Sequence, residues 1–102
     1  FLGYASYGPF RAGDGYDGTV ENSVYVAEEA QGQGVARAIM EVLLARAVAD
    51  GRHTMMAGIS LPNEPSVALH RKLGFVEAGF LKGIGRKFGR SLDLMLMQKP
   101  LT

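Results

Sequence analysis

The sequence has no cysteine, only two histidines and no long apolar run. Without cysteine the chain can form no disulfide, no thiolate metal site and no cysteine nucleophile, which is compatible with a reducing cytoplasm. His53 and His70 lie in unrelated contexts and suggest no metal site. No apolar stretch approaches the roughly 20 residues of a membrane-spanning helix. We therefore expect a soluble cytoplasmic protein that neither spans a membrane nor binds a metal.

An excess of one charge is also absent. Eleven Lys and Arg residues face ten Asp and Glu residues, for a formal net charge of +1. The basic residues are scattered or in short pairs such as Arg71-Lys72 and Arg86-Lys87, without the basic stripe of a nucleic-acid binder. The 102 residues fit one domain, and no repeat, low-complexity tract or linker divides them. We expect a single domain that binds neither nucleic acid nor a membrane.

Apolar periodicity predicts an α/β fold with the element order β-β-α-β-α-β-β. Strands are predicted at 1–7, 19–26, 54–60, 75–84 and 88–98, and helices at 35–50 and 63–73. The apolar strand at 54–60 follows a helix, which predicts a parallel β-α-β unit. Glycines and a proline between residues 8 and 18 predict an exposed loop without a regular element. The last two strands are expected to form an antiparallel hairpin around Gly85-Arg86-Lys87, which completes a mixed sheet.

A glycine-rich turn stands between the second strand and the first helix. Residues 31–36 read Gln-Gly-Gln-Gly-Val-Ala. Glycine leaves backbone N–H groups uncovered where the helix adds its own unpaired N–H groups and the positive end of its dipole, which predicts an anion site suited to phosphate. The chain has no Gly-Lys-Ser/Thr of a P-loop, and the turn lacks the third glycine of a dinucleotide fingerprint. The alternative is a turn with a purely structural role.

Three separated stretches resemble the GCN5-related N-acetyltransferase (GNAT) family in order and spacing. They are Ser-Val-Tyr-Val at 23–26, the turn at 31–36 with the Gln-x-x-Gly-x-Ala spacing of the family's pyrophosphate signature, and Asn-x-x-Ser-x-x-Leu-His-x-x-x-Gly-Phe at 63–75. Within the family, the runs at 2–7, 19–26 and 87–93 are similar to those of the phosphinothricin and methionine sulfoximine acetyltransferases. The resemblance covers nearly the whole chain.

The resemblance to that branch is incomplete in three places. The family's opening strand and two helices, which form one wall of its acceptor site, would precede Phe1, and the chain starts without an initiator Met or a leader. Asp17 stands where the branch often has arginine, and Ser91 where it usually has tryptophan. These differences bear on which acceptor the protein would use, because Asp17 would repel an anionic group of the acceptor that an arginine would attract.

The resemblance implies an enzyme that transfers an acetyl group from acetyl-CoA directly to the amino group of a small amino-acid-like acceptor. It implies a mixed, mostly antiparallel GNAT-type sheet flanked by helices, and we expect a homodimer because the last two strands leave an open edge. The implied cofactor-binding residues are Val24, Tyr25, Val26, Gln31, Gly32, Gln33, Gly34, Val35, Ala36, Asn63 and Ser66. The alternatives are a non-catalytic acyl-CoA-binding module and a domain that binds another nucleotide on the same turn.

The second strand and the start of the second helix are expected to hold the pantetheine arm. In relatives this helix start meets the arm, and Asn63 and Ser66 lie there. As an N-cap and a first-turn hydroxyl, the same two residues would also serve the helix alone. Val26 is expected to act through backbone N–H and C=O groups, which become free where its strand splays from a neighbour.

Two residues are predicted to move protons. An amine attacks a thioester only when neutral, and its unperturbed pKa is roughly 8 to 10, so a nearby carboxylate that accepts a proton raises the reactive fraction. Glu21, in the middle of the second strand, is predicted to be this base, and the alternative is a solvent-facing strand glutamate. His70 takes the helix position where relatives often carry a tyrosine acid, so it would donate a proton to the departing sulfur. The alternative is a histidine that is simply packed.

Overall fold

The computed structural model describes residues 3–27, 30–32 and 34–102. In these ranges the elements are β1 (Gly3–Pro9), a 3-10 helix (Asp14–Tyr16), β2 (Thr19–Val26), α1 (Val35–Ala49), β3 (Thr54–Leu61), α2 (Glu64–Lys72), β4 (Val76–Lys87) and β5 (Arg90–Pro100). The predicted order of strands and helices is confirmed, and β2 has the predicted bounds. No helix in the described ranges is long and apolar enough to cross a lipid bilayer.

The described strands form one mixed sheet in the order β1-β2-β3-β5-β4. β2 and β3 are parallel and the other neighbours are antiparallel, so the predicted β-α-β unit and mostly antiparallel sheet are confirmed. β2 and β3 are neighbours inside the sheet, and α1 connects them. Since a parallel pair needs such a crossover, the helix start lies near the carboxyl end of β2.

The predictions for the loop at 8–18 and for the last hairpin were partly wrong. β1 continues to Pro9, which ends a strand at the edge of the described sheet, where a missing N–H is tolerated. The loop also contains the 3-10 helix, closed by a bond from the Tyr16 N–H to the Gly13 carbonyl at 3.0 Å. The hairpin turns at Phe88 and Gly89, whose φ angles of 52° and 73° suit a two-residue turn. Gly85 instead lies within β4 and pairs with Leu92.

Both helices pack against the same face of the sheet. The register places Val20 opposite Met55, and strand alternation adds Ala57 and Ile59 to that face. The buried core joins this face to both helices, and its members are Val20, Met40, Leu43, Ala47, Met55, Ala57, Ile59, Val67, Leu73, Phe75 and Met97. Glu21 lies on the opposite face, because it neighbours Val20 in the strand.

Candidate active site

The sheet splits between the neighbouring strands β2 and β3. β2 and β3 pair only from Thr19 to Glu21 and from Thr54 to Met56, although the two strands continue to Val26 and Leu61. Beyond this point each strand stays with its outer neighbour, since β2 keeps its pairing with β1 and β3 keeps its pairing with β5. The two strands therefore diverge, and the gap between them, which we call the fork, opens toward the start of α1.

Two cavities lie along the fork and share part of their walls. The smaller one, of about 480 Å³, is lined by Glu21, Asn22, Ser23, Val24, Gly58, Ile59, Ser60, Asn63, Ser66 and His70. The larger one, of about 690 Å³, is lined by Val24, Val26, Ala30, Gln31, Gly32, Gly34, Val35, Ala36, Arg37, Asn63, Pro65, Ser66, Ala68, Leu69 and Lys72. Val24, Asn63 and Ser66 line both, so the cavities adjoin, and we call the two together the cleft, which extends from the glycine turn to Glu21.

The glycine turn presents open backbone donors to the larger cavity. Gly32 and Gly34 have φ angles of 81° and 75°, in the left-handed region that favours glycine. Gly34 is the N-cap of α1 without a side-chain cap, and the Ala38 N–H donates to its carbonyl at 3.1 Å. The N–H groups of residues 35–37 therefore have no partner inside the helix. A Cβ added at Gly34 would meet no atom within 4 Å. Residues 34–37 line the larger cavity, so a ligand in that cavity would lie beside these donors.

One backbone group at the end of β2 has a side-chain partner. Gln31 Nε2 donates to the Val26 carbonyl at 3.3 Å, so this carbonyl already has one partner. The Tyr25 side chain is 48% exposed and its ring lies 5.7 Å from the Tyr4 ring of β1. Tyr25 lines neither cavity, so the cleft contains Val24 and Val26 but not the Tyr25 ring. The predicted cofactor contact at Gln33 falls outside the described residues.

Glu21 lies where β2 and β3 separate. It is the last β2 residue paired with β3, opposite Met56. A Cβ built at Gly58 would lie 3.0 Å from Glu21 Oε2, so the carboxylate reaches across the fork and lies beside Gly58. The missing side chain at Gly58 leaves room for it. The structure thus places a carboxylate at the closed end of the cleft, on the face of the sheet opposite the helices.

His70 is buried, and both of its ring nitrogens have partners. Its side chain is 1% exposed and meets the Phe75 ring edge-on at 4.9 Å. Nδ1 lies 2.7 Å from the Ser66 carbonyl oxygen, and Nε2 lies 3.2 Å from Asn22 Nδ2. Burial lowers the pKa of His70, although the bond to the Ser66 carbonyl partly opposes this shift. The neutral ring is therefore favoured, and its single N–H donates to Ser66.

These contacts favour the packed alternative for His70. Because its only N–H is bound to the Ser66 carbonyl, a direct acid role would need a second proton on Nε2, which burial disfavours. For Asn63 and Ser66 both roles fit. Asn63 Oδ1 accepts the Ser66 N–H at 3.3 Å as the N-cap of α2, and both residues line the cleft.

The sequence did not single out three polar residues of the cleft. Asn22 lines the smaller cavity, and Arg37 and Lys72 line the larger one. Arg37 could have been found from the sequence. A cation in the first turn of a helix is unfavourable because of the helix dipole, so its presence there indicates that an anion binds nearby. Lys72 and Asn22 could not have been found in this way, since the fold alone brings them to the cleft. Asp17 and Ser91 do not line either cavity in the described part of the chain.

Residues 1–75 match the model of the Acetyltransferase (GNAT) family. The chain belongs to this family. The fork between β2 and β3 and the glycine turn both lie within the matched residues. Among the described residues no group of three or more His, Asp or Glu side chains could hold a metal ion.

Individual relatives agree with this assignment over almost the whole chain. An L-methionine sulfoximine/L-methionine sulfone acetyltransferase of Pseudomonas paraeruginosa is 48% identical over 100 residues, which are 98% of this chain and 58% of that protein. A ribosomal-protein-alanine N-acetyltransferase of Brucella melitensis superposes with a TM-score of 0.94 at 49% identity, covering 97% of this chain and 61% of that one.

A third GNAT relative was solved with a ligand. It is a phosphinothricin acetyltransferase from Sinorhizobium meliloti in complex with acetyl-CoA, with a TM-score of 0.93 and 41% identity. The match covers 97% of this chain and 54% of that chain. The present chain therefore spans a little over half the length of the relatives that it matches.

Proposed function

We propose that this chain is an N-acetyltransferase that moves an acetyl group from acetyl-CoA to the amino group of a small amino-acid-like acceptor. One observation carries the proposal: a single cleft joins the uncovered N–H groups at the start of α1 to the carboxylate of Glu21. Acetyl-CoA has a diphosphate at one end and a thioester at the other, so the two ends of the cleft match the two ends of this cosubstrate.

The larger cavity supplies the groups that coenzyme A requires. The N–H groups of residues 35–37 would bind the diphosphate, as helix starts commonly do. Arg37 and Lys72 add positive charge to the same cavity, which suits a polyanionic ligand. The pantetheine arm would then run between Val24 on one side and Asn63 and Ser66 on the other, since these residues line both cavities.

We propose that the acetyl group passes directly from the sulfur of coenzyme A to the amine nitrogen at the closed end of the fork. The amine nitrogen attacks the thioester carbon, the C–S bond breaks, and sulfur leaves with the electron pair as a thiolate. Glu21 accepts the proton that the amine loses, directly or through a water molecule. The acetyl group cannot pass through a cysteine of this chain, because the chain has none.

The names of the relatives support the proposed acceptor class. The Pseudomonas and Sinorhizobium relatives are named for methionine sulfoximine, methionine sulfone and phosphinothricin, and the Brucella relative for the alanine of a ribosomal protein. An α-amino group is common to these names. We propose an amino-acid-like acceptor and test it with a panel of amino acids against simple alkylamines.

The proposal predicts that coenzyme A binds and that ATP binds much more weakly. ATP can use the N–H groups at the helix start but has no pantetheine arm to fill the fork. Calorimetric titration of both ligands, followed by an assay of thiol release from acetyl-CoA with the amine panel, tests the two halves of the proposal. Equal affinity for ATP would contradict it. Binding without thiol release for any amine would indicate the non-catalytic acyl-CoA-binding module instead.

We also propose that the protein is a cytoplasmic homodimer. In the described sheet β4 pairs only with β5, and its exposed edge carries Val76, Phe80 and Ile84 at 59%, 49% and 60% exposure. A second copy that covered this edge would bury apolar surface and protect unpaired strand groups. A monomeric mass by light scattering at micromolar concentration would contradict the dimer.

The absence of cysteine in this chain favours the reducing cytoplasm as its compartment, and cell fractionation tests this proposal.

A further inference from the structure

We infer that an N–H of the Asn22 side chain binds the sulfur of coenzyme A as it departs, and that His70 is the positioning residue that turns this N–H toward the cleft. The inference rests on the proposed acetyl transfer, and it assigns a role to a residue that the sequence did not single out. It also explains how the departing sulfur is stabilised when the only N–H of the neutral His70 ring is bound to the Ser66 carbonyl.

The hydrogen bonds around His70 fix the orientation of Asn22. The Ser66 carbonyl can only accept, so the Nδ1 atom at 2.7 Å must carry the ring proton. In the neutral ring Nε2 is then an acceptor, and its partner at 3.2 Å must be a donor, which identifies it as the Asn22 amide nitrogen. That nitrogen has two hydrogens. One donates to His70, and the second is available to a ligand in the cleft.

The position of Asn22 puts this second N–H near the reacting atoms. Asn22 follows Glu21, the last β2 residue paired with β3, so it lies just inside the fork. Both residues and His70 line the smaller cavity. Strand alternation places Glu21 and Asn22 on opposite faces of the sheet. A thioester held between them would have the proton acceptor for the amine on one side and the amide donor for sulfur on the other.

The departing sulfur needs a hydrogen-bond donor beside it, but it does not need to receive a proton during the transfer. When the C–S bond breaks, sulfur keeps the electron pair and becomes a thiolate, while the amine proton goes to Glu21. An amide N–H stabilises the thiolate through a charge-assisted hydrogen bond. The thiolate later takes a proton from water, so the amide itself stays unchanged. His70 contributes by holding the amide in one of its two orientations, which avoids an entropy cost during the reaction.

The test measures the pKa of the thiol of bound coenzyme A from the ultraviolet absorbance of its thiolate. With an N–H donor at sulfur, this pKa should lie below that of free coenzyme A. Asn22→Leu removes the donor at similar volume and should raise the pKa of the bound thiol by about 1 to 2, which is roughly a 10- to 100-fold change in proton affinity. Desulfo-coenzyme A should bind both proteins equally, because it has no sulfur to contact.

His70→Phe tests the positioning role, because a phenyl ring keeps the buried volume but cannot accept from Asn22. It should raise the pKa of the bound thiol in the same direction as Asn22→Leu. The double variant should show no larger rise than Asn22→Leu alone, since both changes act on one hydrogen bond. Additive effects would mean that His70 does not act through Asn22, and they would overturn this part of the inference.

Two outcomes separate a failure of this inference from a failure of the proposed function. If the wild-type protein does not bind coenzyme A, the proposed function fails and the inference fails with it. If coenzyme A binds with the same thiol pKa in wild type and Asn22→Leu, only the inference fails. Should Asn22→Leu not fold, as judged by circular dichroism, Asn22→Ser is the substitute. Its side chain is too short to reach His70 and sulfur together, so the same rise is expected.

Discussion

Replacing Glu21 by Gln should lower the rate of acetyl transfer by roughly 10² to 10⁴ at neutral pH and leave the affinity for coenzyme A nearly unchanged. Glutamine fills the same space beside Gly58 but cannot take the proton that the amine must lose. The loss should shrink as the pH rises, because the neutral amine then becomes abundant without a base. Turnover measured from pH 6 to pH 10, with coenzyme A affinity measured alongside, checks both expectations.

A matched control for this substitution is Glu77→Gln. Glu77 is also a strand glutamate, but it is exposed on β4 and lines neither cavity. It therefore represents the alternative reading of Glu21 as a solvent-facing strand residue, and its loss should leave turnover unchanged. Wild-type turnover in Glu21→Gln, with chemistry shown to limit the rate, would mean that the base lies elsewhere.

Replacing Gly34 by Val should abolish coenzyme A binding, which we define as a loss of at least about 100-fold in affinity. The φ angle of 75° at Gly34 strains a β-branched residue, and Gly34 lines the larger cavity, where the new side chain would compete with the ligand. A Cβ at Gly34 meets no protein atom within 4 Å, so the protein itself has room for it. The ligand is what the side chain would displace. Calorimetry with coenzyme A measures the effect.

The control for backbone strain is Gly51→Val at the other end of α1. Gly51 has a φ angle of 79°, and a Cβ there would also meet nothing within 4 Å, but the residue lies outside both cavities. Both variants should lower the melting temperature, whereas only Gly34→Val should lose coenzyme A. If Gly51→Val weakened binding to the same degree, strain in α1 rather than the open N–H groups would explain the result.

Local pattern was enough to predict the element order and the glycine turn. Helical periodicity in α1 and alternation in β2 depend on neighbours within a few residues. The need for glycine at Gly34 is equally local, since it follows from one backbone angle. The hairpin turn was misplaced for the opposite reason. β4 shifts register with β5 between Glu77 and Gly79 and between Leu81 and Gly85, and such bulges depend on the partner strand.

Sequence reasoning reached the parts of the candidate site that depend on backbone and missed those that depend on distant partners. Glu21 lines the smaller cavity and the glycine turn lines the larger one. The hydrogen bond between Asn22 and His70 joins residues 48 positions apart, and no local pattern indicates it. The same bond decides the state of His70, which explains why its role could not be assigned from its helix position alone.

The most direct test of the central claim is an NMR titration of the isotope-labelled chain with coenzyme A. We expect the backbone amides of residues 35–37 and the side-chain amide of Asn22 to shift together, with one affinity, because a single ligand spans the cleft. The amides of Gly51 and Gly89 should not move. ATP should shift the helix start without shifting Asn22. A titration in which coenzyme A leaves the helix start or the Asn22 amide unchanged would contradict a continuous acetyl-CoA site between the glycine turn and Glu21.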